Sequence, residues 1–83
     1  MVDILTKVRG ILAEKFAGAD IQIEPVRGNG RVWGFVIWKD WADIDPVDRV
    51  GPVRAVLHSR LTDDEERQVS AILPMTPDEL RED

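Results

Sequence analysis

The side chains that could carry out catalysis in this sequence are few and scattered. His58 is the single histidine among 83 residues, and there is no cysteine. The missing thiols exclude a cysteine nucleophile, a disulfide, and any zinc or iron–sulfur site that depends on thiolates of this chain. A histidine that acts as a general base or metal ligand needs partners that orient it. We therefore interpret His58 as a residue near a helix end, and we predict no active site and no cofactor.

An acidic run beside Trp41 is the second place where chemistry could occur. Calcium requires six or more oxygen ligands from a shaped loop. The spacing of this run fits no EF-hand, and no glycine occupies the turn position. We interpret it as a solvated loop and a capped helix start. The alternative is an enzyme or weak divalent-metal site built around this run and His58. The run consists of Asp40, Asp43, Asp45 and Asp48.

A glycine-rich segment flanked by arginines is the third place in the sequence where chemistry could occur. Gly28-Asn29-Gly30 lies between Arg27 and Arg31, so its backbone amides could hold a phosphate. Asn-Gly is also the strongest short hairpin signal, because both residues accept positive φ. No helix start follows the segment, so we predict a hairpin turn.

Charge and composition narrow the classes of partner. The formal net charge of −5 repels polyanions, so nucleic acid is not the expected main partner. No apolar run reaches the roughly 18 residues of a membrane span, so we expect no membrane insertion. The lack of disulfides and of a signal-peptide pattern favours a cytoplasmic location.

The elements that must position these residues follow from periodicity and capping signals. Apolar residues at three- and four-residue spacing predict a helix over residues 3–17, capped by Asp3 and ended at Gly18. Alternation predicts strands over residues 19–26 and 31–41, joined by the hairpin. Gly51-Pro52 divides the next region into a short helical turn and a helix from Pro52 to about Arg60.

The last third of the chain contains two capping boxes. Thr62 and Glu65 predict a brief helical turn, residues 69–74 a third strand, and Thr76 with Glu79 a final short helix. We therefore predict one domain over residues 1–83, with an α+β fold of order α-β-β-α-α-β. In this two-layer sandwich, a three-stranded mixed sheet carries the helices on one face.

Tryptophan placement bears most directly on function. Both faces of the strand over residues 31–41 are apolar, which indicates a central strand or one whose outer face meets a partner. By parity, we assign Trp33, Phe35, Ile37 and Trp41 to the core. The opposite face is expected to be open, unless a loop or the C-terminal segment covers it, and to bind a partner. Its predicted contact residues are Val36, Trp38 and Ile72.

The element order resembles that of BolA-like proteins, whose fold is related to type II KH domains. The third strand followed by Thr76-Pro77-x-Glu79 is similar to the closing strand and turn of that family. Trp33-x-Phe35-Val36-Ile37 followed by Trp41 resembles its second strand and the aromatic residue after it. The resemblance spans nearly the whole chain and implies a protein that acts through protein partners rather than by catalysis.

Two departures from the family limit what the resemblance implies. Members that share an iron–sulfur cluster with monothiol glutaredoxins supply a histidine at the start of the last strand. The corresponding position in this chain lies at about Gln68. The family tends to carry an Arg-His pair at the second helix, where this chain has Arg49-Val50. We therefore do not expect cluster ligation.

The expected function is that of a small non-enzymatic interaction module, whose partner is either another protein or a second copy of the chain. The alternative is a KH-like nucleic-acid-binding domain. KH domains clamp the nucleic-acid backbone with a basic GXXG loop, whereas residues 59–64 contain no GXXG and turn acidic. The basic residues available to that alternative are Arg27, Arg31, Lys39, Arg49, Arg54 and Arg60.

Overall fold

The computed structural model describes residues 3–28 and 30–81. Their order is α-β-β-α-α-β with a closing helix, as predicted. The elements are α1 (Ile4–Lys15), β1 (Asp20–Pro25), β2 (Val32–Ile37), a 3₁₀ helix (Lys39–Asp43), α2 (Pro46–Arg60), α3 (Asp63–Arg67), β3 (Val69–Met75) and α4 (Pro77–Arg81).

Helix α1 begins directly after the predicted cap Asp3, but it ends at Lys15, two residues before the predicted end. The side chain of Asp3 accepts a hydrogen bond from the Thr6 amide at 2.8 Å, which satisfies one of the free N–H groups of the first turn. Gly18 adopts φ +88° just beyond the helix, a conformation that L side chains rarely take. Val8 and Leu12 are fully buried, so the apolar stripe of α1 forms one wall of the core.

Strands β1 and β2 form the predicted antiparallel hairpin. Ile23 of β1 pairs with Gly34 of β2, and both are buried. Gly28 and Gly30 have positive φ, as the turn requires. Asn29, the central residue of the predicted turn, lies outside the described residues.

Strand β3 pairs in parallel with β2, which gives a mixed sheet of order β1-β2-β3 in the described chain. The chain returns to β3 through α2 and α3, because parallel neighbours need a long crossover. Helices α1 and α2 pack against each other, α1 against β1 and α2 against β3. The predicted two-layer α+β sandwich is therefore the observed architecture, with α1 and α2 on one face of the sheet.

The predicted interruption of the second helix is wrong, because α2 continues through Pro52 as one helix. Proline removes one backbone donor and usually clashes with the residue before it in the helical conformation. That preceding residue is Gly51, which has no Cβ to clash with the proline ring. Both residues are exposed, so water can solvate the carbonyl group that loses its partner.

The second strand is shorter than the predicted 31–41. It ends at Ile37, and Lys39–Asp43 form a 3₁₀ helix that turns the chain towards α2. The amide of Trp41 donates to the carbonyl of Trp38, and that of Ile44 to the carbonyl of Trp41. The alternation of a strand therefore does not extend to Trp41.

Both predicted capping boxes are confirmed. Thr62 and Glu65 exchange side chain-to-backbone hydrogen bonds at the start of α3, at 2.9 and 3.2 Å. Thr76 and Glu79 do the same at the start of α4. Each box satisfies two backbone donors at the start of a short helix.

Candidate interaction surfaces

Trp38 and Trp41 pack with Phe16 at one end of the core. The ring centroids lie 5.4 Å apart for Phe16 and Trp38, 5.1 Å for Phe16 and Trp41, and 5.2 Å for the two tryptophans. The indole N–H of Trp41 donates to the carbonyl oxygen of Val36 at 3.1 Å. Trp41 is a core residue, as predicted, but the 3₁₀ helix places it there rather than strand parity.

The predicted position of Val36, Trp38 and Ile72 on the open face is wrong. Val36 is 0% exposed and belongs to the core beneath the helices. Trp38 and Ile72 are half-buried and pack against that core. The physical reason is the hairpin register, which aligns Ile21 with Val36, so both residues contribute to the same helix-covered face.

The other face of β2 is the one that α1 and α2 leave open. Trp33 and Phe35, which we assigned to the core, are half-buried and pack edge to face at 5.4 Å. Their β3 neighbours in the register are Ala71 and Leu73, and Leu73 is 43% exposed. We call Trp33, Phe35, Ala71 and Leu73 the aromatic face.

The aromatic face has one acidic edge. Gln22 and Glu24 of β1 align with Phe35 and Trp33, and Asp20 precedes them on the same side of the strand. All three β1 side chains are exposed, and the Gln22 amide donates to the Asp20 carboxylate at 3.1 Å. The surface therefore combines aromatic area with two carboxylates along one side.

Helix α4 limits the aromatic face at the end of β2. Ile37 follows Phe35 on the same side of the strand, but it is buried. It lines a cavity of about 380 Å³ together with Pro77 and Leu80 of α4. The predicted burial of Ile37 is confirmed, although it is buried on the face opposite the core.

A buried arginine anchors α4 to α2. Arg49 is 4% exposed. Its Nε donates to the carbonyl of Ile44 at 2.9 Å and its NH1 group to the Glu79 carboxylate at 2.7 Å. The hydrogen bond from Arg49, followed by that from the Thr76 amide, lowers the pKa of Glu79. Arg49 is thus a structural charge and is not exposed to bind nucleic acid.

A groove runs between α2 and the outer edge of β3. Its volume is about 330 Å³, and we call it the β3 groove. Val50 of α2, which is 41% exposed, and Leu73 of β3 both line it. Arg54 also lines it and has no ion pair among the described residues. The remaining lining residues are Val53, Leu57, Glu66, Val69, Ser70, Ala71 and Ile72.

The residues that could support catalysis or metal binding do not converge. His58 Nδ1 lies 2.9 Å from a carboxylate oxygen of Glu66, but its side chain is 76% exposed. Within residues 3–28 and 30–81, no group of three or more His, Cys, Asp or Glu side chains could hold a metal ion. Across those same ranges, no helix is long and apolar enough to cross a membrane.

In the described chain, the connection between α2 and α3 differs from that of a KH domain. Only Leu61 and Thr62 separate α2 from α3, which leaves no room for a four-residue clamp loop. Arg60 pairs with Glu14 of α1 at 3.4 Å. Gln68 directly precedes β3, where the family resemblance places a histidine, and its side-chain amide donates to the Asp64 carbonyl at 3.4 Å.

One signal in the sequence could have located the aromatic face correctly. Ile21 and Ile23 mark the buried side of β1, and the hairpin register carries that side across to Gly34 and Val36. The residues of opposite parity, including Trp33, must then face away from the helices. The β3 groove has no comparable signal, because it depends on the distance between α2 and the edge of β3.

A comparison with solved structures identifies a similar fold. The structure is similar to the crystal structure of a Bol-like protein from Babesia bovis, with a TM-score of 0.66. The alignment covers 95% of this chain and 90% of that chain at 17% sequence identity. No protein-family model and no curated protein matches the sequence. The fold is therefore BolA-like.

Proposed function

We propose that this chain is a small non-enzymatic interaction module that binds another protein through its aromatic face. The observation that carries the proposal is the outward position of Trp33 and Phe35 on the side of the sheet opposite α1 and α2. Aromatic residues are enriched at protein interfaces and dominate their energetics. The BolA-like fold supports the same class of function.

Charge favours a partner that differs from this chain. Asp20 and Glu24 edge the aromatic face, and the whole chain carries −5. Stacking two copies face to face would bring like charges together, which disfavours association. The expected partner surface is an apolar strip flanked by Lys or Arg side chains. Burial of Trp33 and Leu73 would supply affinity, and the carboxylates would orient the partner.

Site-specific photo-crosslinking in the native host tests this proposal. A photoreactive amino acid at Phe35 should link the chain to a defined polypeptide, and one at Val47, which is exposed on α2, should not. The crosslinked peptide should carry basic residues beside its apolar ones. Equal crosslinking from both positions, or none from Phe35, would refute the proposal.

Once the partner is purified, the Trp33→Lys variant measures how much the aromatic face contributes to the binding free energy. Lys at this position lies opposite Glu24, so an attractive cross-strand pair supports folding. Loss of the tryptophan should weaken binding by at least 2 kcal/mol, the order of an interface hot spot, about thirtyfold in Kd. Val47→Lys is the matched control and should leave the Kd unchanged.

A further inference from the structure

The β3 groove has the properties of a peptide-binding site that adjoins the aromatic face and shares Ala71 and Leu73 with it. Within the described residues, β3 is an edge strand that pairs with β2 alone. Edge strands present unpaired backbone N–H and C=O groups to any chain that can align with them. Residues 69–73 of β3 line the groove in succession, so the groove follows the strand along this edge.

The direction of the backbone groups on β3 follows from one hydrogen bond. The Trp38 amide donates to the carbonyl of Met75 at 2.9 Å, so the peptide groups of Met75 point towards β2. Because backbone groups alternate in direction along a strand, the Pro74 carbonyl and the Ile72 N–H and C=O groups point away from β2, to the free edge of the sheet. None of the turn and loop hydrogen bonds described in residues 3–28 and 30–81 uses the Ile72 backbone.

Pro74 limits how far an added strand can extend. Proline has no N–H to donate, and in sheets it is typical of edge strands, where it prevents open-ended pairing. The pairing edge is therefore confined to the segment before Pro74, which is also the segment that lines the groove. A partner strand of about five residues matches that length.

Helix α2 provides the side-chain recognition. It lies against β3 on the core side of the sheet, so alternate side chains of an added strand would meet its groove-lining residues. Val50 supplies the accessible apolar contact, because Leu57 is only 6% exposed. Arg54 supplies an exposed cation without an ion pair among the described residues, and Glu66, the carboxylate of the lining, lies 2.9 Å from His58 Nδ1. The complementary strand has apolar residues and one carboxylate side chain.

From this arrangement we propose that the β3 groove binds an extended peptide by β-strand addition. The Ile72 N–H and C=O groups form backbone hydrogen bonds with it, and Arg54 pairs with its acidic side chain. A second copy of the chain fits this edge poorly. Twofold pairing of two β3 strands would bring the two Arg54 side chains close together beside the short ladder of hydrogen bonds, where their like charges repel. The net charge of −5 on each copy adds to this repulsion.

The test titrates the isotope-labelled full chain with three synthetic peptides while amide resonances are followed by NMR. The first is acetyl-Val-Thr-Glu-Thr-Val-amide, in which both valines and the glutamate lie on the same face of an extended strand. The second has Lys in place of Glu, and the third is the first peptide N-methylated at alternate amides. The first peptide should shift the resonances of residues 69–73 and slow hydrogen exchange at the Ile72 amide. The lysine peptide should bind about threefold to tenfold more weakly, and the methylated peptide should not bind.

Two variants separate charge recognition from general effects. Arg54→Glu should reverse the preference between the acidic and basic peptides, whereas the control Arg9→Glu, on the exposed surface of α1, should not. Val50→Glu places a carboxylate one helical turn from Arg54, where it can pair with that residue and compete with the acidic peptide. Its matched control, Val47→Glu, should bind like the wild type.

Several results would overturn the proposal. They are no shift at residues 69–73 at millimolar peptide, shifts confined to Trp33 and Phe35, or equal binding of all three peptides. Shifts at residues 69–73 caused by single-stranded RNA but not by peptide would assign the groove to nucleic acid instead. Self-association that Val50→Glu abolishes would assign it to a second copy. Because Trp33→Lys lies outside the groove, it separates failure of this proposal from failure of the aromatic face.

Discussion

Truncation of Arg49 to alanine tests how the short closing helix is held. Arg49 is 4% exposed, and it donates to the Ile44 carbonyl and to the Glu79 carboxylate. The Arg49→Ala change removes both donors and the packing of the buried aliphatic stem. An orphaned buried acceptor costs about 1–3 kcal/mol, and breaking a fully buried ion pair costs about 3–5 kcal/mol. The Glu79 side chain is 38% exposed and regains water, so we expect a total loss of about 3 kcal/mol.

Urea denaturation followed by circular dichroism measures this loss. With a slope of about 1 kcal/mol per molar urea for a domain of this size, the midpoint should fall by about 3 M. Arg54→Ala is the control, because Arg54 is exposed and unpaired among the described residues, and it should change stability by less than about 0.5 kcal/mol. A loss below about 1 kcal/mol for Arg49→Ala would show that the hydrogen bond from Arg49 to Glu79 does not hold α4 in solution.

Three further predictions address the pH response, the sheet and α2. Hydrogen bonds from Lys7 to Glu65 and from Arg49 to Glu79 lower the pKa of both carboxyls below the ordinary 4.5. The two ionised carboxyls therefore stabilise the fold above pH 4.5, and this stabilisation is lost as the pH falls through their folded-state pKa values. In urea titrations, a Glu65→Gln, Glu79→Gln double variant should show a smaller fall in the free energy of unfolding at acid pH. Gly34→Ala should lower the free energy of unfolding by about 1–3 kcal/mol in the same assay, because the alanine Cβ would collide with the backbone of β1. An unchanged urea midpoint would contradict the pairing register of β1 and β2. Pro52→Ala restores a helical N–H and should raise the thermal midpoint, so a lower one would show that Pro52 is not an interior helix residue.

The architecture could be predicted because its signals are local. The cap at Asp3, the hairpin glycines and the capping boxes that begin at Thr62 and Thr76 each depend on residues within one or two turns of chain. They fixed the order of the elements, and the mixed sheet followed from packing helices on one face. The resemblance to BolA-like proteins, which rested on this order, agrees with the similar solved structure.

The faces of β2 were assigned wrongly because both are apolar. Alternation alone does not say which apolar side the helices cover, and Trp41 misled the assignment because a 3₁₀ helix follows Ile37. The register with Ile21 resolves the ambiguity by placing Val36 in the core. The burial of Arg49 was likewise hidden, because its partner Glu79 is 30 residues away in sequence.

Photo-crosslinking from the sheet is the most direct test of the central claim, that this chain of BolA-like fold binds a protein partner through Trp33 and Phe35. A photoreactive residue at position 35 should yield one main crosslinked polypeptide, and Trp33→Lys should abolish that product while the chain remains folded by circular dichroism. The same product at the same yield in the Trp33→Lys background, or crosslinking that is equally efficient from Val47, would contradict the claim.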